Sequence, residues 1–505
     1  MPKAKKSKPK SAFESQGLAQ TVRGAVDEIK ALYLADDIPW VVGYSGGKDS
    51  TAVLQLVWLA IAELNENRRQ KPVHVISTDT LVENPVVASW VSQSLTTMSE
   101  SAKRTKMPVL PHRLTPLITD SFWVNLIGKG YPAPRPKFRW CTERLKINPS
   151  NSFITGVVRE SGEAILVLGT RKAESTTRAR NMEKHERFRT RERLSPNASL
   201  PNCLIFTPIE NWSNDDVWLF LMQVENCWGY DNKDLLTMYQ GASADGECPL
   251  VVDTTTPSCG DSRFGCWVCT LVDQDKSMHA MIQNDEEKEW MLPLLKLRNE
   301  LDVHDDRHLR DFRRMNGLVQ IYNNRNIPGP YVQSAREHWL RRVLEAQVWV
   351  RENGPQNVSD IELITLDELC EIRRIWLTEK HEFEDTLPRI YEDVVGQPFP
   401  KNTDDNLVFG FEEVELLKEF CGDDRLQFEL LRELLDIEQR LQTQSRRAGL
   451  YDALERALQR NSYQDAEQAT SLALRRKKTL EAAKTGEFLE LPFASAGDEI
   501  VTESA

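Results

Sequence analysis

The stretch VVGYSGGKDSTAVLQLV, residues 41–57, constrains the fold of this 505-residue chain more than any other. An apolar run of strand length, WVVGY, leads into SGGKDS, and an apolar run of helix length, TAVLQLVWLAIAEL, leads out. Gly46 and Gly47 let successive backbone N–H groups converge without Cβ obstruction, which makes a concave seat for an anion. The N-terminus of the following helix adds its partial positive charge. Lys48 is placed to neutralise phosphate oxygens, and Ser45, Ser50 and Thr51 to donate hydroxyl hydrogen bonds to them. The spacing GxxxxGK[ST] is absent, and Asp49 directly follows the lysine. A strand and a helix apolar on nearly every side belong inside a layered α/β domain.

The surrounding periodicity agrees. From about residue 38 to 230 short apolar runs alternate with longer helical ones. Residues 39–44, 73–77, 164–169 and 204–208 read as strands. Residues 49–64, 85–103 and 214–224 read as helices, the last with Asp215 and Asp216 in its first turn, where acids suit the helix dipole. This alternation predicts an α/β fold, a parallel sheet with helices on both faces. The predicted organisation is a disordered basic tail over 1–15 and a nucleotide-loop domain over 16–239. A cysteine-rich irregular segment over 240–284, a basic helical region over 285–353 and a helical C-terminal domain over 354–485 follow, then a disordered tail over 486–505. In the C-terminal domain Leu416, Leu417, Phe420, Leu426, Phe428, Leu431, Leu434 and Leu435 are expected to form one apolar face amid dense charge.

No run of about 18 apolar residues marks a membrane span. The lysine-rich N-terminus lacks the apolar segment of a secretory signal, so the cytoplasm is the expected compartment. There, nine cysteines point to metal or redox chemistry before a disulfide framework. The net charge of −12 excludes a uniformly basic polyanion binder but not local patches. Residues 296–342 hold ten Lys/Arg against six Asp/Glu, and residues 401–440 hold five against twelve. Each run reads equally as a solvated surface or as a docking patch.

Residues 45–50 resemble the PP-loop of the adenine nucleotide α-hydrolase superfamily. That likeness implies a Rossmann-like domain in which ATP is cleaved between its α and β phosphates, giving AMP and pyrophosphate. Two further segments are similar to phosphoadenylylsulfate reductases and related sulfate-activating enzymes: LGTRKAESTTRAR at 168–180 and PIENWSNDDVW at 208–218. STDTLVENP, at 77–85, falls where those proteins carry an acid after the second strand. The resemblance implies nucleotide contacts from Asp79, Gly169, Arg171 and Arg178. Arg171, Arg178 and Arg180 suit bidentate pairing with phosphate, although a lone arginine is more often a surface charge. Trp212 and Trp218 read as core aromatics.

Cys248, Cys259, Cys266 and Cys269 lie within 22 residues, and Cys141 sits in RWCTERLK. The pair in Cys266-Trp-Val-Cys269 can point both sulfurs at one metal. Thiolates suit zinc or iron–sulfur clusters, and four cysteines in an irregular segment also fit a closed structural zinc site. RWCTERLK is similar to the cysteine-bearing R-C-C-x-x-R-K segment of adenylylsulfate reductases, with Trp140 in place of one cysteine. That likeness implies a 4Fe–4S cluster on Cys141, Cys266, Cys269 and either Cys259 or Cys248, the fifth thiol being a candidate persulfide carrier. Cys203, Cys227, Cys370 and Cys421 read as isolated small buried residues.

Together with SRFGCWVCTLVDQDKSM at 262–278, RDFRRMNG and IPGPY, these features resemble the DndC family of DNA phosphorothioation sulfurtransferases over roughly residues 20–460. A related subunit of the Ssp phosphorothioation system shares them. The resemblance implies Lys48, Asp49 and Cys141 as catalytic residues, ATP, magnesium (Mg2+) and a cluster as cofactors, and DNA as acceptor. It also implies a cysteine desulfurase as sulfur donor and other Dnd proteins as partners. An adenylylsulfate reductase-like enzyme, an RNA thiolase and a zinc-containing DNA-binding scaffold are the alternatives.

Overall fold

The computed structural model describes residues 11–187, 191, 193–243, 264–401, 410–442, 449–461 and 463–485. The N-terminal layered domain runs α1 (Gly17–Leu34), β1 (Trp40–Gly43), α2 (Lys48–Ala62), β2 (Val73–Thr78), α3 (Pro85–Arg104) and β3 (Val109–Leu114). It continues with α4 (Asn148–Ser161), β4 (Ala164–Val167), α5 (Thr176–Glu186), β5 (Ser195–Pro196), β6 (Cys203–Phe206), α6 (Asn214–Gln223) and α7 (Asn232–Gly241). The strand order is β3-β2-β1-β4-β6-β5, parallel except for the short β5.

Alternation along β1 explains the layers. Val42 faces a core shared with α1, α2, α3 and α6, whereas Val41 faces Ile154 and Val157 of α4. Successive strand side chains point to opposite faces. Both faces of β1 are therefore buried, and Trp40, Val41 and Val42 are 0% exposed. Full burial of each such side chain is worth about 1.5–3 kcal/mol.

Ser213 caps α6, its hydroxyl accepting from Asp216 N at 3.1 Å while the Asp216 carboxylate accepts from Ser213 N at 2.7 Å. The same carboxylate accepts from Ala12 N at 3.0 Å. Phe13 packs on Trp212 with ring centroids 5.2 Å apart. The disorder expected over 1–15 is thus corrected at residues 11–15, because Phe13 is a core residue. The remainder of that expected tail, and the one over 486–505, lie outside the described residues.

A second core holds α8 (Lys276–Asn284), α9 (Leu292–Leu301), α10 (Gln333–Asn353), α11 (Leu366–Glu379) and α12 (Thr386–Val395). It is also where two π-helical turns, Val124–Gly128 and Thr142–Ile147, and the Trp267–Val268 pair pack. Between α9 and α10 stands a two-stranded ribbon, β7 (Gln320–Tyr322) and β8 (Arg325–Ile327). The region expected to be helical over 285–353 therefore contains a ribbon and the irregular stretch leading to it. Four helices follow: α13 (Phe411–Cys421), α14 (Arg425–Gln442), α15 (Leu450–Arg460) and α16 (Ala466–Thr485).

The apolar face expected across α13 and α14 is corrected too. Leu416 and Phe420 are 66% and 75% exposed, while α14 buries Arg432, Glu433 and Asp436 along with Ile437. Those charges have partners: Arg432 with Glu384 at 2.8 Å, Glu433 with Arg460, and Asp436 with Arg440 at 2.9 Å. Among the described residues no helix is long and apolar enough to cross a membrane.

Candidate nucleotide and cysteine site

The strand order reverses direction between β1 and β4, and open α/β sheets bind ligands in the crevice at that point, beyond the carboxyl ends of the strands. SGGKDS follows β1 and the Gly169–Arg171 segment follows β4, so the two sequence motifs flank one crevice.

Gly46 adopts φ +72°, and a Cβ there would stand 2.4 Å from Val91 Cγ2. Gly47, in extended conformation, opens α2. Ser50 Oγ donates to Gly47 O at 2.9 Å and accepts from Ser45 N at 3.2 Å. Ser50 thus braces the loop rather than projecting from it. Thr51, in the first turn of α2, is 3% exposed.

Lys48 Nζ lies 3.1 Å from Asp49 Oδ2 and 5.6 Å from the centroid of the Tyr239 ring. Lys48 N donates to the Tyr239 hydroxyl at 3.4 Å. Burial pushes the Tyr239 phenol well above its ordinary range, so it stays neutral. Arg171, 3% exposed, donates from Nε to Asp49 Oδ1 at 2.8 Å and from Nη1 to Trp212 O at 3.3 Å. The expected phosphate-binding Arg171 therefore orients Asp49 in this state. Gly169 sits against the start of α2: a Cβ there would meet Asp49 C and O at 2.8 Å and Ser50 N at 3.1 Å. Arg178, half-exposed, pairs with Glu174 one turn earlier and is not brought to Asp49. Asp79 lies at the end of β2, accepting from Leu81 N at 2.8 Å and from Arg113 Nε at 3.0 Å. Trp212 and Trp218 are core residues, 3% and 1% exposed.

The cysteine segment meets the same carboxyl end of the sheet. Asn84 N donates to Gly265 O at 3.2 Å and Trp267 N to Val82 O at 2.9 Å, a short ladder joining the CWVC turn to the chain after β2. Cys269 N donates to Cys266 O at 3.1 Å, closing the turn. The buried Arg298 of α9 holds its exit, donating from Nε to Cys269 O at 2.9 Å and from Nη1 to Asp273 O at 3.1 Å.

Cys141, Cys266 and Cys269 are free, partly buried thiols. Burial pushes the Cys266 thiol up to about 11 and raises Cys141 as well. Thr80 Oγ1 lies 3.3 Å from Cys266 Sγ. The Lys146 ammonium is held above its ordinary range, first by Cys266, with Glu83, Cys269 and Cys141 acting in the same sense. Among the described residues no three His, Cys, Asp or Glu side chains form a ready metal-binding group. Cys248 and Cys259 lie outside the described residues. Cys203 and Cys421 are buried, Cys227 and Cys370 partly so.

Tyr239, Lys146, Glu83 and Arg113 escaped the sequence reading. Lys146 had a signal, its place in RWCTERLK; Tyr239, on a helix far along the chain, had none. Phe264 packs on Tyr239 with centroids 4.7 Å apart and touches both large cores. A groove of about 1650 Å³ begins at Asp79, Glu83 and Trp267 and runs past α3 and α7. Its carboxylates outnumber its cations nine to two, and residues 45–50 do not line it, so it is no seat for phosphate.

These features define a PP-loop domain, a nucleotide-using fold joined here to a cysteine-bearing turn. Residues 39–271 match the family described as the phosphoadenosine phosphosulfate reductase domain. The chain is 26% identical over 201 residues to an uncharacterised protein of Methanocaldococcus jannaschii. The match covers 40% of this chain and 35% of that protein, so the chain spans about a third of the length of this curated relative. Among solved structures, the phosphoadenylyl-sulfate reductase of Candida auris aligns over 44% of this chain and 93% of its own, at 14% identity and a TM-score of 0.26. The FMN adenylyltransferase of Candida glabrata aligns over 48% of this chain and 67% of its own, with the same identity and score.

Proposed function

We propose that this chain is a sulfurtransferase that splits ATP to AMP and pyrophosphate to activate a DNA backbone phosphate for replacement of a non-bridging oxygen by sulfur. The observation that carries the reading is that an intact SGGKDS seat and a cysteine turn share the carboxyl end of one sheet and are joined through Tyr239 and Phe264, so nucleotide and sulfur chemistry adjoin. The DNA acceptor is supported by the resemblance of the wider chain and by the exposed Lys137, Phe138 and Arg139 just before Cys141.

In this reading the loop amides and Lys48 hold the β and γ phosphates of ATP, where they stabilise departing pyrophosphate. Asp49, fixed by Arg171, is the carboxylate that would hold the magnesium (Mg2+) ion arriving with ATP. A DNA phosphate oxygen attacks the α phosphorus; the α–β bond breaks and pyrophosphate leaves. Persulfide sulfur, supplied by a cysteine desulfurase to a thiol of the chain, attacks the adenylated DNA phosphorus and AMP departs. An external thiol then cleaves the S–S bond, leaving sulfur on the DNA and a mixed disulfide on the protein.

Cys141, Cys266 and Cys269 are free, partly buried soft donors whose chemistry suits three thiolate corners of a 4Fe–4S cluster, with Cys248 or Cys259 as the fourth, although their side chains are not drawn together into a ready metal-binding group. Such a cluster, when bound, supplies an iron- and sulfide-bearing redox centre. Other Dnd proteins complete the proposed assembly.

The test is an ATP assay that resolves AMP plus pyrophosphate from ADP plus phosphate, with and without DNA and a sulfur donor. DNA-stimulated AMP release with phosphorothioate in the product is expected, and ADP as the sole product overturns the reading. The match to the reductase domain favours a second reading, reduction of an adenylylated sulfate. That enzyme releases sulfite from its substrate without ATP, which the same preparations can be assayed for.

A further inference from the structure

The ribbon β7–β8 and the helix α16 carry chemistry that the nucleotide and cysteine region does not use. The strands pair Gln320 with Ile327, Ile321 with Asn326 and Tyr322 with Arg325. Asn323 and Asn324 form the connection with φ +46° and +59°, the left-handed pair of a tight hairpin turn whose twist matches its strands. The base is tied down: Asn326 Nδ2 donates to Phe312 O at 2.9 Å, and Arg314 N to Leu318 O at 2.8 Å. All four tip residues are exposed, Tyr322 by 68%. The ribbon is thus a stiff projection ending in an aromatic ring, two amides and a guanidinium.

Beside it, Gln320 and Ile321 share a groove of about 330 Å³ with Arg476, Lys477 and Lys484 of α16. Arg475, Arg476 and Lys478 are exposed, and none of the three makes an ion pair with the described residues. The arginines of the basic stretch behave differently: Arg298, Arg313, Arg336 and Arg342 are each committed to carboxylates. Lys477 pairs with Glu481 of the same groove at 3.8 Å, so Arg475, Arg476 and Lys478 are the cations at this part of α16 without a carboxylate partner among the described residues, and of these Arg476 lines the groove beside the ribbon.

We propose that the ribbon enters the major groove of duplex DNA and reads base edges there, while α16 holds the flanking phosphates. The B-form major groove, about 12 Å wide, admits a two-stranded ribbon. Asparagine pairs with adenine and arginine with guanine through two hydrogen bonds each. An acidic protein partner would account for α16 but not for amides fixed at the tip of a stiff ribbon. The inference rests on the reading of DNA as acceptor and extends it: sequence preference resides in this chain.

The experiment is fluorescence anisotropy with the full chain and labelled duplexes of several sequences over a salt series. The probes for comparison are duplex RNA of the same sequences and polyglutamate. Arg475→Ala with Arg476→Ala and Lys478→Ala should weaken binding to every duplex about tenfold or more and reduce the salt slope by up to about 3. Asn323→Gly with Arg325→Gln keeps the turn geometry; it should compress the spread of affinities among sequences and lower the slope by at most about 1. Wild-type affinities in both variants overturn the proposal. So does equal binding of duplex RNA, whose major groove is too narrow for a ribbon, or of polyglutamate. Nucleotide products are assayed on the same preparations. A protein that releases AMP and pyrophosphate but ignores DNA overturns the ribbon alone. One that binds DNA through the ribbon but forms only ADP overturns the ATP reading alone.

Discussion

Gly169→Ala tests the crevice geometry directly. The added methyl would stand 2.8 Å from both Asp49 C and Asp49 O, against an ordinary contact of 3.4 Å or more. Both sides of the clash are backbone, so no rotamer change relieves it. The start of α2 and the segment after β4 must part by about 0.6 Å, an overpacking cost of roughly 1–3 kcal/mol. At about 2–4 °C per kcal/mol for a domain of this size, the melting temperature should fall by a few degrees. Turnover should suffer more. Asp49 and Lys48 ride on the displaced turn, and misplacement by about 1 Å can cost roughly a hundredfold. A loss of about tenfold in AMP release is therefore expected, with the protein still folded at 25 °C. Gly156→Ala is the control: a Cβ there, mid-helix on α4, meets nothing within 4 Å. It should gain up to about 1 kcal/mol from helix propensity and leave turnover unchanged. Differential scanning fluorimetry and the nucleotide assay read both variants. Wild-type turnover in Gly169→Ala would refute the claim that this contact sets the loop.

Other perturbations probe separate parts of the molecule. Arg171→Met removes the buried donor to Asp49 and Trp212 O; stability in urea should drop by about 3 kcal/mol and nucleotide turnover should collapse, and an unchanged midpoint would show that Asp49 needs no anchor. Arg313 joins Asp311 at 2.7 Å with Glu429 and, through Nη1 at 2.6 Å, Asn461. Arg313→Met should speed hydrogen exchange across α14 and α15 while sparing β1–β4, and uniform protection would contradict this. His74 Nδ1 and His112 Nε2 lie 3.0 Å apart, and burial holds both rings below the ordinary value of 6.5, Glu160 of α4 opposing the shift at His74 without reversing it. The unfolded chain then binds more protons in the window just below 6.5, so stability is full above it and declines as pH falls through the two folded pKa values. His112→Phe should flatten that decline in urea midpoints taken between about pH 5 and 7.5.

The central elements were legible because they are buried on every side. For β1 and α2 the sequence pattern and the environment coincide, and the expected boundaries fall within two residues of those observed. β3 was not legible. It is an edge strand, with Leu110 45% exposed, Pro111 inside it and His112 on it, paired with His74 of β2, so neither alternation nor an apolar run marks it. The basic stretch misled for a different reason. A guanidinium's partner can lie anywhere in the chain: Arg336 pairs with Glu382 and Arg313 with Glu429, 46 and 116 residues away. Composition sees ten cations there; the fold buries several of them as internal pairs. The ribbon turn had a local signal, two asparagines between short strands, but the surrounding charge made the region read as helix.

The cysteine turn shows how the two halves of the site are made one. The ladder to residues 82–84 fixes the turn from the sheet side, and Arg298 fixes it from the second core. Cys266 and Cys269 are therefore held through the backbone on both sides of the turn. Phe264, two residues before Cys266, presses on Tyr239, whose hydroxyl accepts from Lys48 N and whose ring underlies the Lys48 ammonium. Displacing the turn would thus move the aromatic pair that positions the phosphate-binding lysine. Neither motif alone contains this connection, because Phe264 belongs to the cysteine motif and Tyr239 to neither. It arises only when α7 and the strand-end loops are folded onto the same end of the sheet.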